Sequence, residues 1–344
     1  MGDMASWLDW LNGDPRTWLL EERDGAVRAQ ALRALYGGAV DDPEVRTARA
    51  LGMEQEPIAS ILAAQAKEGY WDRPGAGYGP KYSGTVWNLT FLNQLGADGG
   101  DLRIEKACEY VLAHSPAANG GFGMSSSREL RLPPPSAVLH CLNGNLLRAL
   151  IRFGWLDDPR VQRAIDWEAR AITGEGFDGY YKSGTSGPGF CCAANEKQPC
   201  AWGAVKALLG LAAIPEGRRA PHVQRAIATG VEFLLSKDPA VADYPIPSYA
   251  TKPNSSWFKF GFPSAYVTDM LQNLEVLCEL GHGRDGRLVN ARERLLSKQD
   301  AQGRWKNEYA YNGKTTVDIE RQGQPSKRVT LRACRVLAAM GGPD

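Results

Sequence analysis

No apolar run in the 344 residues approaches the ~20 residues that cross a bilayer. The longest notable one, Ala207 to Ile214, is far shorter, so no transmembrane helix is expected. Net charge is almost absent: 40 Lys and Arg against 39 Asp and Glu leave +1, and no global field draws the chain onto nucleic acid or an anionic membrane. Cys-x-x-Cys is missing. The seven cysteines are odd in number and two are adjacent, Cys191 and Cys192, which argues against a disulfide framework and for a reduced, cytoplasmic setting. The opening Met-Gly-Asp-Met-Ala-Ser has acids at Asp3 and Asp9 and no basic segment, so no secretory signal is expected; Gly2 and Ser6 meet a loose myristoylation pattern that short stretches match by chance. Period-2 strand patterns of useful length are also lacking, which predicts an all-α chain. Hydrophobic residues at 43 % are enough to build a sizeable core and exclude a mainly disordered chain.

What the sequence has is a repeat. Asp42-Pro43-Glu44-Val45, Asp101-Leu102-Arg103-Ile104, Asp158-Pro159-Arg160-Val161, Ala220-Pro221-His222-Val223 and Asp285-Gly286-Arg287-Leu288 share one pattern. Asp as N-cap, Pro at the first helical position and apolar residues three apart mark a helix start. Before each lies another apolar helix, usually closed by Gly: Tyr36-Gly37, Leu95-Gly96, Phe153-Gly154, Leu280-Gly281 and Met340-Gly341. An equivalent helix, Ala201 to Ala213, lacks the closing Gly. End points at 37, 96, 154, 213, 281 and 341 give six copies of one helix at a spacing near sixty residues. Six such pairs can form an open superhelix or a closed ring.

Loops with Gly and an aromatic residue follow most of the second helices. Gln65-x-x-x-Gly69-x-Trp71 and Gln299-x-x-x-Gly303-x-Trp305 are the clearest, with weaker relatives at Gly120-Gly121-Phe122 and Gly174-Glu175-Gly176-Phe177. These loops resemble the QW-type repeats of the squalene-hopene cyclase and protein prenyltransferase superfamily, over roughly residues 24 to 341. The resemblance implies a single (α/α)6 toroid spanning 1–344, with six inner and about six outer helices. Residues 1–23, with Trp7, Trp10 and Trp18, would be a helical segment packed on the ring. The Gly-closed helices would be inner, with their amino-terminal ends gathered at one mouth of a mostly apolar central cavity.

Thirteen residues before the end points stand Asp24, Ser83, Cys141, Cys200, Thr268 and Arg328, none of them aliphatic. Cys141 and Cys200 begin consecutive inner helices, whose axes would lie ~8–10 Å apart, and Cys192 stands in the loop before Cys200 beside Cys191. Cys141, Cys192 and Cys200 are therefore candidate zinc ligands, with Asp269, water or substrate as the fourth. Inert packing and a redox or nucleophilic thiol are the other readings of the same cysteines. His140 points away from Cys141 on a helix and is not expected to join them. Asp269, with Tyr266, is the candidate general acid, set against the ordinary role of an Asp in a first helical turn. Lys81, Lys327 and Arg328, with Lys252 and Lys259, stand near helix starts and could hold a diphosphate, or be solvated surface charge. Trp87 and Trp202 would line a pocket for an isoprenoid chain, or pack in the core.

The family patterns are matched only in part. Protein prenyltransferases hold zinc on an Asp-x-Cys pair and a later His, and His282 falls at the wrong end of its helix. The Asp-x-Asp-Asp acid of class II terpene cyclases is missing. His140-Cys141-Leu142-Asn143-Gly144-Asn145 and Cys200-Ala201-Trp202-Gly203 are similar instead to the helix starts that carry zinc in lanthionine cyclases. The resemblance thus implies a terpenoid-cyclase-like or prenyltransferase-like enzyme acting on a hydrophobic, isoprenoid-type substrate, with zinc as the one cofactor expected. A zinc-dependent thiol-alkylating enzyme and a non-catalytic toroid that binds a lipid or a protein are the alternatives.

Overall fold

The computed structural model describes residues 6–125, 138–176 and 186–341, so Gly2, Asp3 and Phe177 lie outside the described residues. In chain order the helices are α1 (Arg16–Leu19), α2 (Gly25–Tyr36), α3 (Pro43–Met53), α4 (Ile58–Ala63), α5 (Thr85–Leu95), α6 (Leu102–His114) and α7 (His140–Arg152). There follow α8 (Pro159–Thr173), α9 (Ala201–Ala212), α10 (Pro221–Leu235), α11 (Met270–Glu279), α12 (Val289–Leu296) and α13 (Lys327–Met340). Among the described residues extended backbone forms only isolated bridges. The chain is an all-α (α/α)6 toroid whose inner helices are α2, α5, α7, α9, α11 and α13.

Local chemistry sets the ends of these helices. Asp42, Asp101 and Asp158 cap the backbone N–H two residues on at 2.7–2.8 Å, and in the last two cases the Arg at that position turns back onto the Asp carboxylate. Gly37 and Gly96 close α2 and α5 at φ 72 and 81, a left-handed backbone that any Cβ would strain. Ala213, without such a Gly, ends α9 in right-handed backbone instead.

The two Gln-x-x-x-Gly-x-Trp loops make the same bonds. Trp71 and Trp305 are 1 % exposed, and their indole N–H groups donate to Ile61 and Leu295 carbonyls at 2.6 and 2.8 Å. Their backbone N–H groups donate to Thr85 and Thr330 hydroxyls on the next inner helix. Gln65 donates to the Arg103 carbonyl on α6, whereas Gln299 donates to the Trp10 carbonyl at 3.0 Å. Gly303 packs so tightly on Gly13 that a Cβ would fall 1.9 Å from the Gly13 oxygen. The segment before α1 therefore stands where the last loop would otherwise meet a further outer helix.

Ring closure is ionic as well as apolar. Arg328 of α13 meets Asp24, the cap of α2, at 3.0 Å, and Lys327 meets Glu21 at 3.0 Å. Across the ring α7 and α9 touch backbone to backbone: a Cβ on Gly144 would lie 2.0 Å from the Lys206 carbonyl oxygen. The positions counted back from the helix ends do gather at the helix starts. Asp24 and Cys200 are N-caps, Ser83 and Thr268 precede a cap by one residue, and Cys141 and Arg328 are second in their helices.

Candidate functional site

The amino-terminal mouth carries a wall of aromatic rings. Trp87, in the first turn of α5, is 1 % exposed and donates its indole N–H to the Tyr78 carbonyl at 2.7 Å. Ring centroids of Tyr78, Tyr82 and Tyr266 lie 5.0, 5.6 and 6.4 Å from it, and Trp202 of α9 lies 6.2 Å from Tyr266. The Lys81 ammonium sits 4.4 Å over the Tyr266 ring, a cation–π contact. Tyr311 closes the group 4.4 Å from Tyr82. Four residues named from the sequence, Trp87, Trp202, Tyr266 and Lys81, thus meet in one cluster around Tyr266, with Trp87 buried beneath. Tilted rings at these separations favour one another beyond their area by about 0.5–1.5 kcal/mol a pair. Burial, then a hydrogen bond with Tyr266, pushes the Tyr82 phenol far up, so the hydroxyl stays a neutral donor at ordinary pH.

Asp269 is buried and fully engaged. It caps α11 by accepting from the Gln272 N–H at 2.7 Å, accepts from the Gly261 N–H at 3.1 Å, and pairs with Arg332 at 3.2 Å. Arg332 holds Glu275 at 2.8 Å and donates to the Gly261 carbonyl at 2.7 Å. With one guanidinium and two N–H donors on its oxygens, Asp269 is placed as a structural anchor for the start of α11. Lys327 and Arg328 are likewise taken up by Glu21, Asp24 and Glu320, so the structure does not bring them to the wall with Lys81.

Cys192 and Cys200 hydrogen-bond each other; this bond from Cys200 draws the Cys192 thiol down to about 6, while the same bond and burial raise Cys200. Burial pushes Cys141 up to about 12. Among the described residues no three His, Cys, Asp or Glu side chains gather as they would around a metal ion.

The structure also buries an ion pair, His140 with Glu168, and a lysine, Lys206. His140 and Glu168, at 1 % and 0 % exposure, meet at 2.5 Å through Nδ1, and the Gly187 carbonyl, which can only accept, takes the other ring N–H at 3.0 Å. Burial opposes the charge on His140, yet the Glu168 charge and hydrogen bond outweigh it and raise the imidazole pKa. Lys206 of α9 is wholly buried, with its ammonium 2.5 Å from the Gln272 amide oxygen. Burial pushes it down to about 7 against the pull of Asp269. An unfolded lysine keeps its proton to about 10.4, so between about 7 and 10 the unfolded chain binds more protons and stability rises with pH. Lys206→Met is expected to flatten that rise, read from urea midpoints at pH 7 and 9. An unchanged slope would show that Lys206 stays charged when folded.

The interior corrects one expectation. The central cavity is only about 60 Å³ and is polar, lined by Gln94, Asn145, Arg148, Gln272, Glu275 and Arg332 among others. Inner helices α7 and α13 turn Asn145, Arg148, Arg152, Arg328, Arg332 and Arg335 to this cavity, with Leu209 and Leu331 beside them.

No family model matches the chain, and no curated protein does either. Among solved structures it is similar to the type II terpene cyclase MstE from Scytonema, at 16 % identity and a TM-score of 0.45, over 93 % of this chain and 87 % of that one. The same cyclase has been solved with geranylgeranyl dihydroxybenzoate, at 15 % identity and a TM-score of 0.45, over 94 % of this chain and 86 % of that one. A protein from Actinoplanes matches at 13 % identity and 0.44, over 94 % and 88 %. No residue role passes through likenesses of this kind.

Proposed function

We propose that the ring is a terpenoid-cyclase-like enzyme that takes an isoprenoid-type hydrophobic substrate at its amino-terminal mouth. The observation that carries this reading is the aromatic wall of Tyr82, Tyr266 and Trp202, backed by the buried Trp87. Such faces accept an unsaturated chain by dispersion and stabilise positive charge that develops on it. The substrate lies against the mouth, because a cavity of about 60 Å³ ringed with Arg, Glu and amides does not accept a prenyl chain. In this arrangement Tyr266 offers both a ring face and a hydroxyl, Lys81 covers its outer side, and Asp269 holds the start of α11 behind it.

Geranylgeraniol titrated into the protein is expected to quench tryptophan fluorescence saturably. Trp202→Ala and Tyr266→Ala would each weaken binding by about ten- to a hundredfold, the loss of one large apolar contact of roughly 1.5–3 kcal/mol. Absence of saturable quenching, or equal affinity in both variants with folding intact, would refute the reading.

A further inference from the structure

The opposite mouth, at the carboxyl-terminal ends of the inner helices, opens into a bowl of about 700 Å³. Arg33, Arg49, Arg152 and Arg335 line it, and Asp98 is the one acid among its described lining residues. Arg148 lies just behind, lining the small central cavity that shares Arg152 and Arg335 with the bowl. The available carboxylates are outnumbered. Glu279 alone serves Arg148 at 2.7 Å, Arg335 at 3.3 Å and Arg152 at 3.5 Å, and Asp98 stands 4.0 Å from Arg49. Arg33 has no carboxylate partner among the described residues.

We propose that this bowl binds a small polyanion of the phosphate class, clamped by Arg33, Arg152 and Arg335. Guanidinium groups from α2, α7 and α13 converge there, and their planar forks match phosphate oxygens two at a time. Crowding of like charge supports the same conclusion, because Arg148, Arg152 and Arg335 share the single Glu279 carboxylate beside Arg33 and Arg49. A bound anion relieves that repulsion. A plainer role is also open to these arginines, since cations near helix carboxyl ends are favoured by the helix dipole. The two roles differ in sign. Dipole partners stabilise the empty protein, whereas arginines gathered for a missing anion strain it. The site is independent of the isoprenoid reading, because it lies at the other end of the ring.

The test is isothermal titration with inorganic pyrophosphate against the full chain, at ionic strength matched with sodium chloride. One saturable site per chain is expected, with affinity lost by at least about tenfold in Arg152→Met combined with Arg335→Met. Arg33→Gln, at an exposed position outside the ion pairs, is expected to weaken it as well if the double variant does not fold. Lys237→Met, just past the end of α10 and outside the bowl, is expected to leave it unchanged. Without pyrophosphate, the arginine variants should melt no lower than wild type. Four results would overturn the proposal: no saturable heat, an equal response to citrate, a loss with Lys237→Met, or binding unaltered in both arginine variants.

Discussion

Glu168→Ala is expected to cost about 3–5 kcal/mol of folding stability, because it leaves a buried imidazolium without its counter-charge. His140 begins α7 and Glu168 lies on α8, so the pair ties an inner helix to the outer helix that covers it. The effect depends on pH in a definite direction. The folded pKa of His140 is raised above its unfolded value of about 6.5, so its contribution is fully present below that value and fades as pH rises through the folded pKa. Glu168→Ala removes this dependence along with the stability. Glu168→Gln, which keeps the shape but not the charge, should fall between. Urea unfolding at pH 6 and pH 9 measures both quantities. A variant within 1 kcal/mol of wild type, with the same pH slope, would show that the pair holds no net proton.

Gly144→Val is expected to be about as damaging, at roughly 3 kcal/mol or more, the upper range for overpacking. The obstacle at this position is backbone. A Cβ would meet the Lys206 carbonyl oxygen at 2.0 Å and the Ala207 nitrogen at 2.5 Å, so α7 and α9 must separate. Gly210 packs back onto the Gly144 oxygen, at 2.8 Å from its own would-be Cβ, and the two helices therefore fit only as glycines. Separation would also spread the starts of α7 and α9, where Cys141 and Trp202 stand. Lower urea midpoints together with weaker geranylgeraniol quenching are expected. Wild-type stability in Gly144→Val would mean that the helices do not pack this closely.

Much of the ring was legible because its signals are local. Asp caps, closing glycines and the two Gln-x-x-x-Gly-x-Trp loops each act within a few residues, and their spacing near sixty gave the six-fold order. Counting back along each helix then placed Trp87, Trp202 and Tyr266 near one mouth, where the structure has them. What remained hidden depends on distant partners. Lys327 and Arg328 read as free cations because Glu21 and Asp24 reach them only when the ends of the chain meet. Nothing local marks Glu168 as buried, because its partner His140 stands 28 residues earlier in the chain, on α7. The polar axis did leave a trace. Arg328, Leu331, Arg332 and Arg335 on α13, and Asn145, Arg148 and Arg152 on α7, recur at three- and four-residue steps, the period of one helix face. The apolar majority on the same helices outweighed it, since an inner helix is buried on nearly every side.

The most direct measurement is a crystal structure of the protein soaked with geranylgeraniol. Density for the chain lying against Tyr82, Tyr266 and Trp202 at the amino-terminal mouth is the expected result. Density in the arginine bowl at the far mouth, or an undisturbed aromatic wall at saturating ligand, would contradict it.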